Sequence, residues 1–422
     1  MIYNESKYNA SWPTKRLEDL GTFSRGASKH RPRNDPALFE GGKYPLVQTG
    51  DVRKANLYIR THEQCYNEFG LKQSKLWNAG TLCITIAANI ANTAILSYPM
   101  CFPDSVVGFT AFPDECSEIF MHYVFAYIRQ SIEKSASGSI QDNINIDYLS
   151  ELELKIPEKP YQDKIVSILK PLDEKIDNNE KINEKILELV EGIFDRWFMQ
   201  FEFPNKEGKP YKSSGGRLKH SPEMKMDVPF DWEIAKIRDV CDVVLGGTPS
   251  TEKSEYWENG NLPWLNSGEV APIPVVVSEL MITESGLTSS ATTLMKKGTV
   301  VVSITGNIRC SFLGIDSCAN QSVVGVLEND LLKREYLFEV MNKMVKKYTA
   351  ISGGNCQKHI NKTEVQETYL LVPDSVVLKE YYNITSKLFD EMVNNALENK
   401  RLTALRDEML LMLMNGQIKA GE

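Results

Sequence analysis

Asp104 and Asp114 each follow a proline, and Glu153-Leu154-Lys155 lies downstream; together they are the nearest this chain comes to the acidic pattern of a nuclease. Their spacing is long, and Pro-Asp pairs are typical turn chemistry. Gly208-Lys209-Pro210 lacks both the spacing and the hydroxyl of a phosphate loop. No His-Glu-x-x-His, Gly-x-Ser-x-Gly or Asn/Asp-Pro-Pro-aromatic motif occurs. The five histidines (His30, His62, His122, His220 and His359) are dispersed, and His122 is expected on a packed helix. The eight cysteines include no pair at zinc or redox spacing and read as small buried hydrophobes. The expectation is a chain with no catalytic residue, no metal and no cofactor of its own. Its polar residues would serve recognition.

Composition sets the frame for those residues. The length of 422 residues suits two to four domains, and 42% hydrophobic with 25% charged content is ordinary for a globular protein. The formal net charge of −8 counts against a simple nucleic-acid binder, whose usual mark is a basic stripe. Residues 25–33 and 206–225 are nonetheless locally basic. An acidic protein can bind DNA through a basic face when a partner adds charge. The polar start and the shortness of the most apolar run, residues 298–304, point to a cytoplasmic chain.

One unit is written twice. Trp12, Leu17, Asp19 and Gly26 return as Trp232, Ile237, Asp239 and Gly246. Residues 45–52 lie on 263–270, residues 80–86 on 298–304, and Asn89-Ile90 on Asn307-Ile308. Ser105-Val-Val-Gly108 recurs unchanged at Ser322 to Gly325. Ser137-Gly138 with Ile144-Asn145 returns as Ser352-Gly353 with Ile360-Asn361, and Pro157 as Pro373. Order and spacing both hold, as internal duplication requires.

Each copy begins with short strands, the β-branched runs at 82–86 and 300–304 being buried ones. Residues 119–131 and 336–347 read as helices. After Pro157 a stripe of Ile168, Leu172, Ile176, Asn179, Ile182 and Ile186 recurs at steps of three and four; Leu388, Met392, Asn395, Leu402 and Leu405 form its counterpart. Pro171 should kink or restart the first helix. The stripes predict an antiparallel, coiled-coil-like helix pair, with Asn179 and Asn395 fixing register. Helices of about 40 residues would be up to ~60 Å long, a ruler for two sites on a ligand such as duplex DNA, whose turn is about 34–36 Å.

Taken together, these features resemble the specificity subunit of type I restriction-modification systems, and the resemblance covers nearly the whole chain. No single motif carries it; the ordered double occurrence does. It implies an α+β chain of two pseudo-twofold-related mixed α/β target recognition domains separated by a pair of long antiparallel helices. The expected boundaries are 1–157 and 231–373 for the recognition domains, 158–201 and 374–416 for the spacer helices, 202–230 for a linker and 417–422 for a tail. The basic linker joins the units, and the stretch before Trp12 is expected to take its place in the first half.

The family implies that each domain reads one half of a bipartite asymmetric double-stranded DNA target. It also implies that the helices set the gap and dock two modification (methyltransferase) subunits, which restriction (nuclease/translocase) subunits then join. S-adenosylmethionine, ATP and Mg would belong to those partners, as would adenine methylation and ATP-dependent cleavage. A two-headed scaffold without a DNA role is the competing reading, and an enzyme with degenerate motifs a third.

Contact residues are ranked by chemistry: Arg and Lys for phosphate and guanine, Asn and Gln for adenine. In the first domain these are Arg25, Lys29, Arg31, Arg33, Gln48, Thr49, Arg53, Lys54, Asn89 and Gln141. In the second they are Thr248, Ser250, Asn266, Ser267, Asn307, Arg309, Gln357, Lys358 and His359.

Overall fold

The computed structural model describes residues 2–137, 144–351 and 359–419. They divide into two compact units, Met1–Asn178 with Arg401–Glu422, and Asn179–Lys400. Each unit therefore takes in part of both long helices, where the sequence suggested helices standing as separate segments.

In the first unit the strands that matter are Gly21–Arg25 (β1), Tyr44–Leu46 (β2), Leu82–Thr85 (β3), Thr93–Leu96 (β4), Met100–Cys101 (β5) and Val106–Ala111 (β6). One sheet has the order β1-β6-β3-β4 with Tyr58–Ile59 at its edge. A second places β2 between Gln64–Tyr66 and β5, the β2–β5 pairing being parallel. The second unit repeats this. Val243–Leu245 (β7), Leu262–Leu265 (β8), Val300–Ser303 (β9), Arg309–Phe312 (β10), Cys318–Ala319 (β11) and Val323–Val326 (β12) form sheets ordered β7-β12-β9-β10 and Leu280–Ile282-β8-β11. The β8–β11 pairing is again parallel.

The repeated motifs have physical reasons. β3 and β9 are buried along their whole length, which is why both are apolar and branched. In Ser-Val-Val-Gly the valines fill the core, and the glycine makes room for a large neighbour. A Cβ on Gly108 would stand 2.5 Å from the Trp77 ring, and one on Gly325 2.8 Å from the Met295 sulfur. Ile144 N donates to Ile86 O at 3.1 Å, as Ile360 N does to Ile304 O at 3.1 Å. The asparagine that follows caps a short helix. Asn145 accepts from Tyr148 N at 2.8 Å to start Ile146–Ser150, and Asn361 accepts from Glu364 N at 3.0 Å to start Lys362–Gln366.

The packed helices expected near 119–131 and 336–347 are Glu118–Ser137 (α1) and Arg334–Ile351 (α2). The first long helix, Lys159–Phe194 (α3), closes with a wider turn over Asp195–Met199; the second is Ser375–Met414 (α4). They run antiparallel. In the first unit Arg406 meets Asp173 and Tyr161 reaches Ile418 O; in the second Asn183 meets Asn395 and Asn179 meets Asn399.

Three expectations change. α3 runs unbroken through Pro171, because that residue is exposed and the carbonyl it leaves unpaired belongs to exposed Ser167. Leu405 is 45% exposed and Leu402 only half-buried. The seam there is polar, with Asn395, Glu398, Asn399 and Arg406 facing α3 where the apolar stripe predicted leucines. Ile176, Ile186 and Met392 are buried as expected, while Ile168, Leu172 and Leu388 are half-buried. Finally, residues 202–230, expected as a linker, carry structure of their own. Phe203 stacks on Trp232 at 4.9 Å, and Leu218–Ser221 pairs with Met226–Pro229. The stretch before Trp12 lies along Glu153–Lys155, where Asn4 exchanges two hydrogen bonds of 2.7 Å with Lys155.

Candidate nucleic-acid interface

Strand register brings most of the candidate residues to one end of each unit. Arg25 lies opposite Val107 and Thr85 opposite Val106, so residues 26–35, 86–92 and 102–105 all leave the sheet at the same end. β2 leads there too, since Val47 N donates to Cys101 O at 2.9 Å. The second unit does the same with 246–254, 304–308 and 319–322, through the pairs Leu245 with Val324 and Ser303 with Val323. Asn266 joins them, because Asn320 N donates to Leu265 O at 2.8 Å.

Glycines set the path of the first of these loops. A Cβ on Gly26 would sit 2.3 Å from Phe102 O, and one on Gly246 2.1 Å from Asn320 O. Only a bare backbone passes this close to the neighbouring turn. The β3–β4 and β9–β10 turns are tied from inside. Thr85 Oγ1 donates to Asn89 O, and Ser303 Oγ donates to Asn307 O at 2.8 Å. Asn89 itself is left-handed, at φ 56°.

A sequence model of the type I restriction modification DNA specificity domain matches residues 9–188 and again residues 229–405. The chain belongs to that family. It is a DNA specificity chain carrying two copies of the domain. It is 21% identical to the type I restriction enzyme MjaIX specificity subunit of Methanocaldococcus jannaschii over 99% of this chain and 95% of that one. It is 24% identical to the HindI specificity subunit of Haemophilus influenzae over 68% of this chain and 73% of the relative. The crystal structure of the type I restriction-modification S subunit from M. genitalium shares the fold at a TM-score of 0.55 and 16% identity, covering 98% of this chain and 99% of that one.

In the first specificity domain the loop after β1 is basic and held in shape. Arg33 donates to both oxygens of Asp104, at 2.8 and 3.1 Å, and Arg31 stands 4.0 Å from the same carboxylate. Arg31 also donates to Ser28 O and His30 O at 2.6 and 2.8 Å. Buried Gln73 braces the loop by accepting from His30 N at 3.0 Å. His30 meets Asp35 at 2.7 Å; the Ala37 N–H and then His30 hold the Asp35 carboxyl below its usual range. Arg25 and Lys29 are exposed. Asp104 and Gln73 are the residues sequence reasoning missed. Asp104 precedes the repeated Ser-Val-Val-Gly, and that position was the available signal.

The same position in the second domain is Gln321, also missed. It is exposed and accepts from Thr248 Oγ1 at 2.5 Å. Ser250 is exposed and its carbonyl accepts from Trp257 at 3.0 Å. Asn307 and Arg309 are exposed, and His359 is an exposed residue bridged to Thr305.

Other candidates have structural duties. Asn266 Oδ1 accepts from Gly268 N and Glu269 N, capping the turn Ser267–Val270. Gln48 is exposed, and its backbone N–H donates to Asp51 at 2.8 Å at the head of Thr49–Lys54, as that of Asn266 donates to Glu269. Thr49 and Ser267, half-buried, open those turns. Lys54 faces Glu63 at 3.7 Å. Arg53 lines a separate cleft of about 170 Å³ with Asn56, Asn92, Arg129 and Arg406. Gln141, Gln357 and Lys358 lie outside the described residues.

Beside that cleft the first unit buries a polar network. Asp173, fully buried, accepts from Tyr123 OH at 2.6 Å and from Arg406 at 2.8 Å. Burial, then Asp173, pushes the Tyr123 hydroxyl well up, and burial drives His122 down to about 4. In the repeat, Phe389 stands at the place of Asp173, its ring 5.9 Å from that of Phe338. The two domains share a fold and differ in the chemistry packed on it. Among the described residues no cluster of side chains could hold a metal ion.

Proposed function

We propose that the two domains each read one half of a bipartite, asymmetric double-stranded DNA target. The observation that carries this is the pairing at one sheet end: the same turn position is Asp104 clamping Arg33 in one domain and Gln321 bound to Thr248 in the other. Equal folds with unequal side chains at equal places suit unequal half-sites. The paired helices set the gap between halves and offer docking surface to two methyltransferase subunits, which nuclease/translocase subunits join. S-adenosylmethionine, ATP and Mg act in those partners. This chain contributes specificity and no catalytic group.

The test is mapping of methylated adenines in cells that carry the chain with its methyltransferase partner. A two-part motif with a fixed gap is expected, and substitutions at 248 and 321 should alter one half only. A continuous motif, or changes in both halves, would overturn the reading.

A further inference from the structure

The loop after β1 and its counterpart after β7 leave equivalent strands, pass equivalent glycines and pack on equivalent turns. Their chemistry differs throughout. Residues 25–33 carry Arg25, Lys29, Arg31 and Arg33; the described positions that follow β7 carry Thr248, Ser250 and Thr251, with Glu252 beside Lys253. Lys253 is engaged by Tyr256 OH at 2.9 Å. In the second domain Arg309, exposed near this end, stands on another element. The supporting residue has changed with the loop: a carboxylate, Asp104, orients guanidinium groups in the first domain, and an amide, Gln321, meets a hydroxyl in the second.

We propose a division of labour between these two loops, resting on the DNA reading above. The loop after β1 grips backbone phosphates, and the loop after β7 with Gln321 reads a base edge in the second half-site. The physical grounds are these. Arg25 and Lys29 make no side-chain hydrogen bond or ion pair among the described residues, so their charge is available to phosphate. Arg31 is held by two carbonyls, with its guanidinium at the surface. Cations of this kind add affinity to any sequence and release counterions when they bind. Gln321 offers a donor and an acceptor side by side, the pattern that matches the N6 and N7 of adenine, and Thr248 holds that amide in one orientation before DNA arrives. A neutral pair that reads a base changes preference and leaves the salt dependence alone.

The experiment uses the full chain and a fluorescent mixed-sequence duplex a few helical turns long, titrated between about 50 and about 200 mM salt. Arg25→Gln/Lys29→Gln/Arg31→Gln keeps the Arg33–Asp104 clamp. It should flatten the slope of log K against log salt by about 2 to 3, at roughly 0.9 per lost phosphate contact. Thr248→Lys/Ser250→Lys, which adds charge, should steepen it. Gln321→Ala should leave the slope within about one contact's worth while relaxing the methylated motif at one position of one half. Equal slope changes from the two loops would overturn the division, as would a Gln321→Ala motif identical to that of the parent. A parent chain that binds duplex with no salt dependence overturns the division alone. Failure to recover any bipartite motif overturns the DNA reading beneath it.

Discussion

The side-chain amide of Asn395 donates to Asn183 Oδ1 at 2.9 Å, across 212 residues of sequence and between two antiparallel helices. Asn183 in turn donates to Met392 O at 3.2 Å, and one helical turn away Asn179 donates to Asn399 at 2.8 Å. Each asparagine of the stripe thus pairs with a partner on the opposite helix, and the two stripe asparagines do not meet each other. Asn395→Ala strands a buried amide and should cost about 1–3 kcal/mol in urea denaturation. Asn183→Leu with Asn395→Leu should recover most of that loss, since paired apolar groups need no partner. A double substitution that costs the sum of the two singles would show that the hydrogen bond is not what couples them.

Gly26→Ala and Gly246→Ala should each destabilise their own unit. The added methyl meets backbone oxygen at 2.3 and 2.1 Å, and backbone cannot rotate away as a side chain can. Overpacking of this kind costs about 1–3 kcal/mol or more. Hydrogen exchange that slows or stays unchanged in the substituted unit would be the wrong result.

The two units should respond oppositely to pH. His122, held down to about 4 from 6.5 by burial, favours the folded state above pH 6.5, and that contribution is lost as pH falls toward about 4. Glu339 is raised to about 7 from 4.5, first by burial and then by the Glu191 carboxylate, with Lys343 and Lys346 opposing. Its contribution is complete below pH 4.5 and lost as pH rises through about 7. Each effect is bounded at about 3 kcal/mol, from ~1.4 kcal/mol per unit. Amide exchange followed from acidic to neutral pH should show the first unit gaining protection while the second loses it. Glu339→Gln should flatten the second trend, and an unchanged trend would remove Glu339 as its source.

Asn266 and Asn307 separate capping from reading. Asn266→Ala removes a side chain that accepts from two backbone N–H groups and should cost about 1 kcal/mol of stability. Asn307 is exposed, so Asn307→Ala should leave stability alone and, where the residue touches a base, weaken one motif position by about 1–3 kcal/mol. Thermal unfolding beside motif mapping decides between these roles; a destabilised Asn307→Ala would contradict the assignment.

The duplication was legible from residues alone, because each repeated residue answers a local demand. Gly26 and Gly246 must pass a backbone, Val106-Val107 and Val323-Val324 must fill a core, and Asn145 and Asn361 must cap a helix. Such demands recur wherever the backbone recurs. The helix stripes were legible for the same reason, through the period of burial. Three-dimensional pairing decided the rest. Leu405 fits the stripe yet faces solvent, because Asn399 and Arg406 meet partners on α3 and turn the seam polar. Asp104 reads in the sequence as a turn residue and in the fold holds Arg33, and the side chain of Asn266, a candidate reader, caps a turn. A side chain's local pattern follows from its own backbone. Its partner depends on which distant strand or helix arrives beside it, and only the tertiary structure supplies that.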